Sequence, residues 1–150
     1  MTQRGFTLME MLVTATVLAI LASAMVPLAR NGVRRQKELE LRRDLRELRT
    51  AIDAYKAAAD GNKIKGPPPE NNGYPESLDI LVEGVPVTGR NGKVRFLRRI
   101  PVDPLTDQAE WGLRAMGDDP EASGWGGGNV FDVHSLAPGK GSNGIPYRDW

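Results

Sequence analysis

Positions 6–29 form an almost unbroken apolar run with one carboxylate, Glu10, near its start. As a helix rising roughly 1.5 Å per residue, the run reaches about 36 Å, enough for a hydrocarbon core of about 30 Å. Beyond Arg34 the pattern changes. Leu41, Leu45, Leu48, Ile52 and Tyr55 recur at alternating steps of four and three, which marks one helical stripe. Glu38, Arg42, Arg43, Asp44, Arg46, Glu47, Arg49 and Asp53 occupy the remaining faces. Glu38 and Arg42 sit four apart, a spacing that adds a few tenths of a kcal/mol as an ion pair. Together the two patterns predict one long helix over residues 6–59, its membrane segment at about 6–29. Pro27 interrupts it where a proline removes a backbone bond and kinks or loosens a helix, and Asn31-Gly32 adds a second weak point. Gly61 and Gly66-Pro67-Pro68-Pro69 end the helix. A coiled coil is the alternative for the stripe, but its heptads last too few turns. Acidic residues interleaved with the basic ones argue against a nucleic-acid surface.

The second half is loop-rich. Tyr74-Pro75 leads into a short apolar helix around Leu78-Asp79-Ile80-Leu81, and residues 93–97 read as a strand running into Arg99-Ile100-Pro101-Val102-Asp103-Pro104. Residues 110–114 and 129–136 supply the remaining strands, separated by the loop 117–128. The expected fold is α+β, a long N-terminal helix whose upper half packs on a small antiparallel sheet.

With 150 residues, there is room for one membrane segment and one small domain, residues 60–150. A net charge of +1 gives no global drive toward nucleic acid or anionic lipid. Cysteine is absent, so the domain draws its stability from its own helix, neighbouring subunits or a metal.

The segment Arg4-Gly5-Phe6-Thr7-Leu8-Met9-Glu10 resembles the type IV prepilin signal. The resemblance implies a leader of residues 1–5, cleavage by a membrane peptidase between Gly5 and Phe6, and N-methylation of Phe6. It also implies that Glu10 pairs with a neighbouring subunit's terminal amine during filament assembly, and that Pro27 accompanies local melting of the helix. Two plainer readings compete: a signal anchor, or a secretory signal cut after Ala24 in Ala22-Ser23-Ala24. The run is long for a secretory h-region and continues past that site. Charge counting opposes the prepilin orientation, since Arg30, Arg34, Arg35 and Lys37 follow the run and only Arg4 precedes it.

Three further segments extend the likeness. Tyr74-Pro75 with its short helix, the Pro-x-Asp-Pro run at Pro101-Val102-Asp103-Pro104, and Phe131-Asp132-Val133 with Ser135-Leu136 are similar to the major, G-type pseudopilins of type II secretion. This implies a structural, non-catalytic subunit of a periplasmic filament that drives protein export. Its implied partners are copies of itself, other pseudopilins, the prepilin peptidase and an inner-membrane assembly platform. The implied location is the bacterial inner membrane, crossed once, with the C-terminal domain in the periplasm. A type IV pilin of an adhesion, motility or DNA-uptake fibre is the neighbouring reading.

Calcium is the ligand that the resemblance suggests, in the loop after the last strand. Here that loop reads Ser135-Leu136-Ala137-Pro138-Gly139-Lys140, with Gly139 where the family has an aspartate and a cation following it. Leu136, Ser142, Asn143 and the more distant Asp149 are what remain as candidates, poor material for an ion that takes six to eight oxygens. The expectation is therefore no resident metal. As an alternative, residues 145–150 fold back and lock the loop through Tyr147 and Trp150. Catalysis finds no footing with one histidine and no cysteine, and His134 reads as structural. Gly139-Lys140-Gly141-Ser142 lacks the upstream glycine spacing of a phosphate loop. Gly124-Trp125-Gly126-Gly127-Gly128 reads as a flexible connection with one anchoring tryptophan, and Asp118-Asp119 as a solvated turn.

Overall fold

A computed structural model describes residues 7–122 and 124–150, the side chains of residues 24–31 excepted. The processing residues Gly5 and Phe6 and the side chain of Pro27 lie outside the described residues. The long helix α1 runs from Leu8 to Asp60 as one element. Thr7 starts it: its Oγ1 accepts a hydrogen bond from the Glu10 backbone N–H at 3.2 Å, the geometry of an N-cap serving the third helical residue. At the other end Gly61 and Asn62 donate to Ala57 and Ala59 carbonyls, and Asn62 turns the chain with a φ of 51°.

The chain divides into two compact units, residues Met1–Gln36 and Lys37–Trp150. In the second unit the stripe of α1 forms the floor of the core. Leu41, Leu45, Leu48, Ile52 and Tyr55 are all buried there, together with Leu81, Leu97, Trp111, Val130 and Val133. The helix α2, Asp79–Glu83, contributes Leu81 and ends at Gly84, whose φ of 81° reverses the chain. A side chain at Gly84 would meet the Val94 backbone, so the sharp turn is also a close approach.

Four short strands follow: β1 at Val85–Pro86, β2 at Lys93–Val94, β3 at Gly112–Arg114 and β4 at Asp132–His134. They pair as two separate antiparallel ribbons, β1 with β2 and β3 with β4, in place of the single sheet expected from the pattern. The strands are also shorter than the runs 93–97, 110–114 and 129–136, and β1 was not anticipated. The cause lies in where the backbone groups find partners. Phe96 and Leu97 N–H groups both donate to the Leu81 carbonyl of α2, which takes them out of a ladder. Val130 N–H donates to the Pro75 carbonyl, tying the entrance of β4 to the turn before α2. Loops satisfy these groups as a ladder would, so the strands stop early.

The Pro-x-Asp-Pro run is a rigid turn with a second duty. Asp103 is fully buried, and its Oδ1 accepts from the Leu105 N–H at 2.8 Å. Its Oδ2 accepts from the Ser135 hydroxyl at 2.5 Å, which pins the exit of β4 to the turn.

Candidate functional site

Two regions carry the sequence-predicted functional residues. The first is the described part of the apolar run. From Leu8 to Leu21 its large apolar side chains stand exposed on every side of the helix, Leu8 at 84% and Ile20 at 64% for example. The hydroxyls among them turn inward. Thr14 Oγ1 donates to the Met11 carbonyl, Thr16 Oγ1 to the Leu12 carbonyl and Ser23 Oγ to the Ile20 carbonyl, at 3.0, 2.7 and 2.8 Å. Such back-bonding leaves no hydroxyl that needs water, and the helix satisfies its own backbone. Glu10 is the one ionisable side chain of this stretch, set in the first turn where the helix dipole favours an anion. Among the described residues no helix is long and apolar enough to cross a membrane. The expected span of residues 6–29 lies only partly inside what is described.

The second region is the loop after β4. Its residues turn back on α1, and the anchor there is Glu38, 3% exposed. Glu38 Oε1 accepts from the Ser142 N–H at 3.0 Å and from the Tyr147 hydroxyl at 2.9 Å, while Oε2 accepts from the Ser142 hydroxyl at 2.5 Å. Trp150 packs edge-on to Tyr147 with ring centres 5.1 Å apart. The Arg42 guanidinium lies over the Trp150 ring, 4.3 Å from its centre. Arg49 completes the fastening, with Nη2 donating to the Trp150 carbonyl at 2.6 Å. Gly141 fits beneath the Trp150 indole, and a Cβ there would collide with the ring.

The calcium candidates do not converge. Leu136 is exposed, and the Asn143 side-chain oxygen accepts from the Ile145 N–H at 3.1 Å. Asp149 faces Arg148 and Arg114, at 3.5 and 3.6 Å. Among the described residues no group of three or more His, Cys, Asp or Glu side chains is placed to hold a metal ion. The residues present do not fit the ion.

His134 is half-buried against Gly112 across the β3–β4 ribbon, a site where any Cβ on residue 112 would strike the imidazole. Burial and the Arg114 guanidinium hold its pKa below the ordinary value, with Arg148 acting the same way and Asp132 and Asp149 opposing. Ser135 donates to Asp103, so no histidine–serine pair forms. Trp125 does anchor its glycine-rich connection, through Nε1 to the Asn129 carbonyl at 2.8 Å. Asp118 departs from the solvated-turn reading: it accepts from the Ala115 and Gly126 N–H groups and holds the loop closed.

Sequence reasoning missed Glu38, Arg42 and Arg49 as tail contacts, having placed them on the charged faces of the helix. Arg42 lies over the Trp150 ring. One signal was present. Glu38 stands three before Leu41 and seven before Leu45, so it continues the apolar stripe and lands on the buried side.

Comparison with known proteins agrees with the terminal signature. The prokaryotic N-terminal methylation motif matches residues 1–26. The chain is 28% identical over 142 residues to the type II secretion system core protein G of Escherichia coli K12, covering 91% of this chain and 82% of that protein. It is 30% identical over 145 residues to the core protein G of Pseudomonas aeruginosa, covering 92% of this chain and 86% of that protein. The Pectobacterium carotovorum core protein G is 30% identical over 142 residues, with 91% and 76% covered. No solved structure matches the chain.

Proposed function

The chain belongs to the family of the type II secretion system core protein G, the major pseudopilins, and we propose on that premise how it works. It is a structural subunit held in the bacterial inner membrane by the apolar part of α1, with residues 37–150 in the periplasm. Copies leave the bilayer and polymerise through their apolar helices into a filament that drives protein export. The observation that carries this reading is the exposed apolar surface of residues 8–23, with its hydroxyls bonded back onto the helix. A helix apolar all round has no stable place in water, while lipid and a helix-lined filament core both suit it. Over residues 8–21, moving between these two costs no backbone hydrogen bond, since each one stays within the helix.

Processing and assembly follow from the terminal motif. A prepilin peptidase cuts between Gly5 and Phe6, and Phe6 becomes the methylated terminus. Its amine then pairs with Glu10 of a neighbouring copy, where water is excluded. At about 4 Å and an effective dielectric near 20, such a pair gains about 4 kcal/mol before desolvation is subtracted. That energy selects register, because a lone carboxylate in the apolar core is costly. Other pseudopilins and an inner-membrane platform complete the machine, and the subunit itself performs no catalysis.

The test is the N-terminal residue and intact mass of the protein recovered from membranes of its host. A chain beginning with methylated Phe6 is the expected result. A chain beginning at Met25, or uncut at Met1, would remove the basis for filament assembly and favour a secreted or simply anchored domain.

A further inference from the structure

We propose that the segment after β4 is a metal-free latch, in which the Glu38 carboxylate takes the place that a bound cation would hold in a calcium loop. The argument rests on the sense of the hydrogen bonds. A calcium site gathers acceptor oxygens around a positive centre. This loop presents the reverse: the Ser142 N–H, the Ser142 hydroxyl and the Tyr147 hydroxyl all donate, and they converge on the carboxylate of one buried glutamate. The loop is built to hold an anion, and α1 supplies that anion.

Four of the loop's own acceptors are engaged elsewhere. The Ile145 carbonyl accepts from the Gly141 N–H at 2.8 Å and from Trp150 Nε1 at 3.2 Å. The Gly141 carbonyl takes the Gly144 N–H, the Gly139 carbonyl takes the Tyr147 N–H, and Asn143 Oδ1 takes the Ile145 N–H. Arg42 and Arg49 both reach Trp150, which fastens the end of the latch to α1. Admitting calcium would require turning several donors away and finding carboxylates that the loop lacks.

The consequence is a periplasmic domain whose C-terminal segment stays docked whatever the calcium concentration. The inference concerns the fold of the single chain, so it stands or falls separately from the filament reading. It is tested on the full chain in detergent, by thermal unfolding and by limited trypsin digestion after the exposed Lys140 and Arg148. Both are run with a calcium chelator and with excess calcium chloride. The expected result is a Tm that agrees between the two conditions within about 1 °C, since a ligand that does not bind cannot shift unfolding. Cleavage after Lys140 should be equally slow in both. Glu38→Gln should speed that cleavage roughly tenfold, through a larger open population, with or without calcium. Ser142→Ala removes only the hydroxyl donor and keeps the backbone N–H, a gentler change that should speed it severalfold, which keeps the test alive if Glu38→Gln does not fold. A Tm raised by calcium, loop protection that needs calcium, or tail cleavage indifferent to both substitutions would each overturn the proposal.

Discussion

The guanidinium of Arg49 on α1 meets the carboxylate of Asp132 on β4 at 2.6 Å, although 83 positions separate them in the chain. The contact is a fork, because Arg49 Nη2 also reaches Asp132 Oδ2 at 3.2 Å and the Val133 carbonyl at 3.1 Å. With its further bond to the Trp150 carbonyl, this one side chain ties the last ribbon and the C-terminal segment to the helix. In a domain with two-stranded ribbons and no disulfide, such cross-chain fastenings replace the continuity of a larger sheet.

Arg49→Ala should therefore lower the stability of the domain by about 1–3 kcal/mol, the range for hydrogen bonds to charged groups. Partial exposure of both side chains screens the purely Coulombic share. Arg49→Lys keeps the charge without the planar fork and should recover only part of the loss. Urea unfolding of the detergent-solubilised chain measures both, and equal stability of all three proteins would show the fork to be idle.

The β3–β4 ribbon depends on the absence of a side chain at residue 112. Gly112→Ala places a methyl group against the His134 imidazole and should cost about 1–3 kcal/mol, the usual penalty of overpacking. His134→Ala in the same chain should relieve most of that penalty. Unfolding midpoints for the two single variants and the double variant decide it: strictly additive losses would mean that the two side chains do not meet.

His134 also sets an acid sensitivity. Burial first, then Arg114 and Arg148, hold its folded pKa below the ordinary 6.5. The unfolded chain therefore takes up this proton earlier than the folded one as the pH falls. Stability should decline as pH drops from about 6.5 through the folded pKa and level off below it, while above 6.5 the group contributes no slope. His134→Gln should flatten the curve of Tm against pH in that window. An unchanged slope would assign the sensitivity to other groups.

The stripe on α1 should behave as a true core. Leu48 is fully buried under the ribbons, and Leu48→Ala should cost about 2–5 kcal/mol through lost burial and the cavity left behind. Exposed Thr50, two residues on, should tolerate alanine within about 0.5 kcal/mol. Equal losses at the two positions, measured by thermal unfolding, would contradict the packing described.

Glu10 separates folding from assembly. Glu10→Leu should leave the unfolding of residues 37–150 unchanged and abolish or strongly reduce filament formation, seen by electron microscopy of cells overproducing the protein. Thr7→Ala removes only the helix cap, at a cost of about 1 kcal/mol, and should assemble nearly normally. Normal filaments from Glu10→Leu would count heavily against the pairing of Glu10 with a neighbour's terminus.

The sequence alone determined whatever depends on local spacing. Alternating steps of three and four made the helix and its buried stripe legible, Gly61 with the prolines gave its end, and Arg4 to Glu10 gave the terminal signature. Tertiary structure alone decided the partners of polar groups and the extent of the strands. Whether residues 93–97 remain in a ladder depends on the Leu81 carbonyl, which accepts the Phe96 and Leu97 N–H groups once α2 docks. Likewise, nothing within a few positions of Glu38 reveals that Ser142 and Tyr147, 104 and 109 residues away, will donate to it. Periodicity is a property of neighbours along the chain, whereas a hydrogen-bond partner is fixed only when distant segments are brought together.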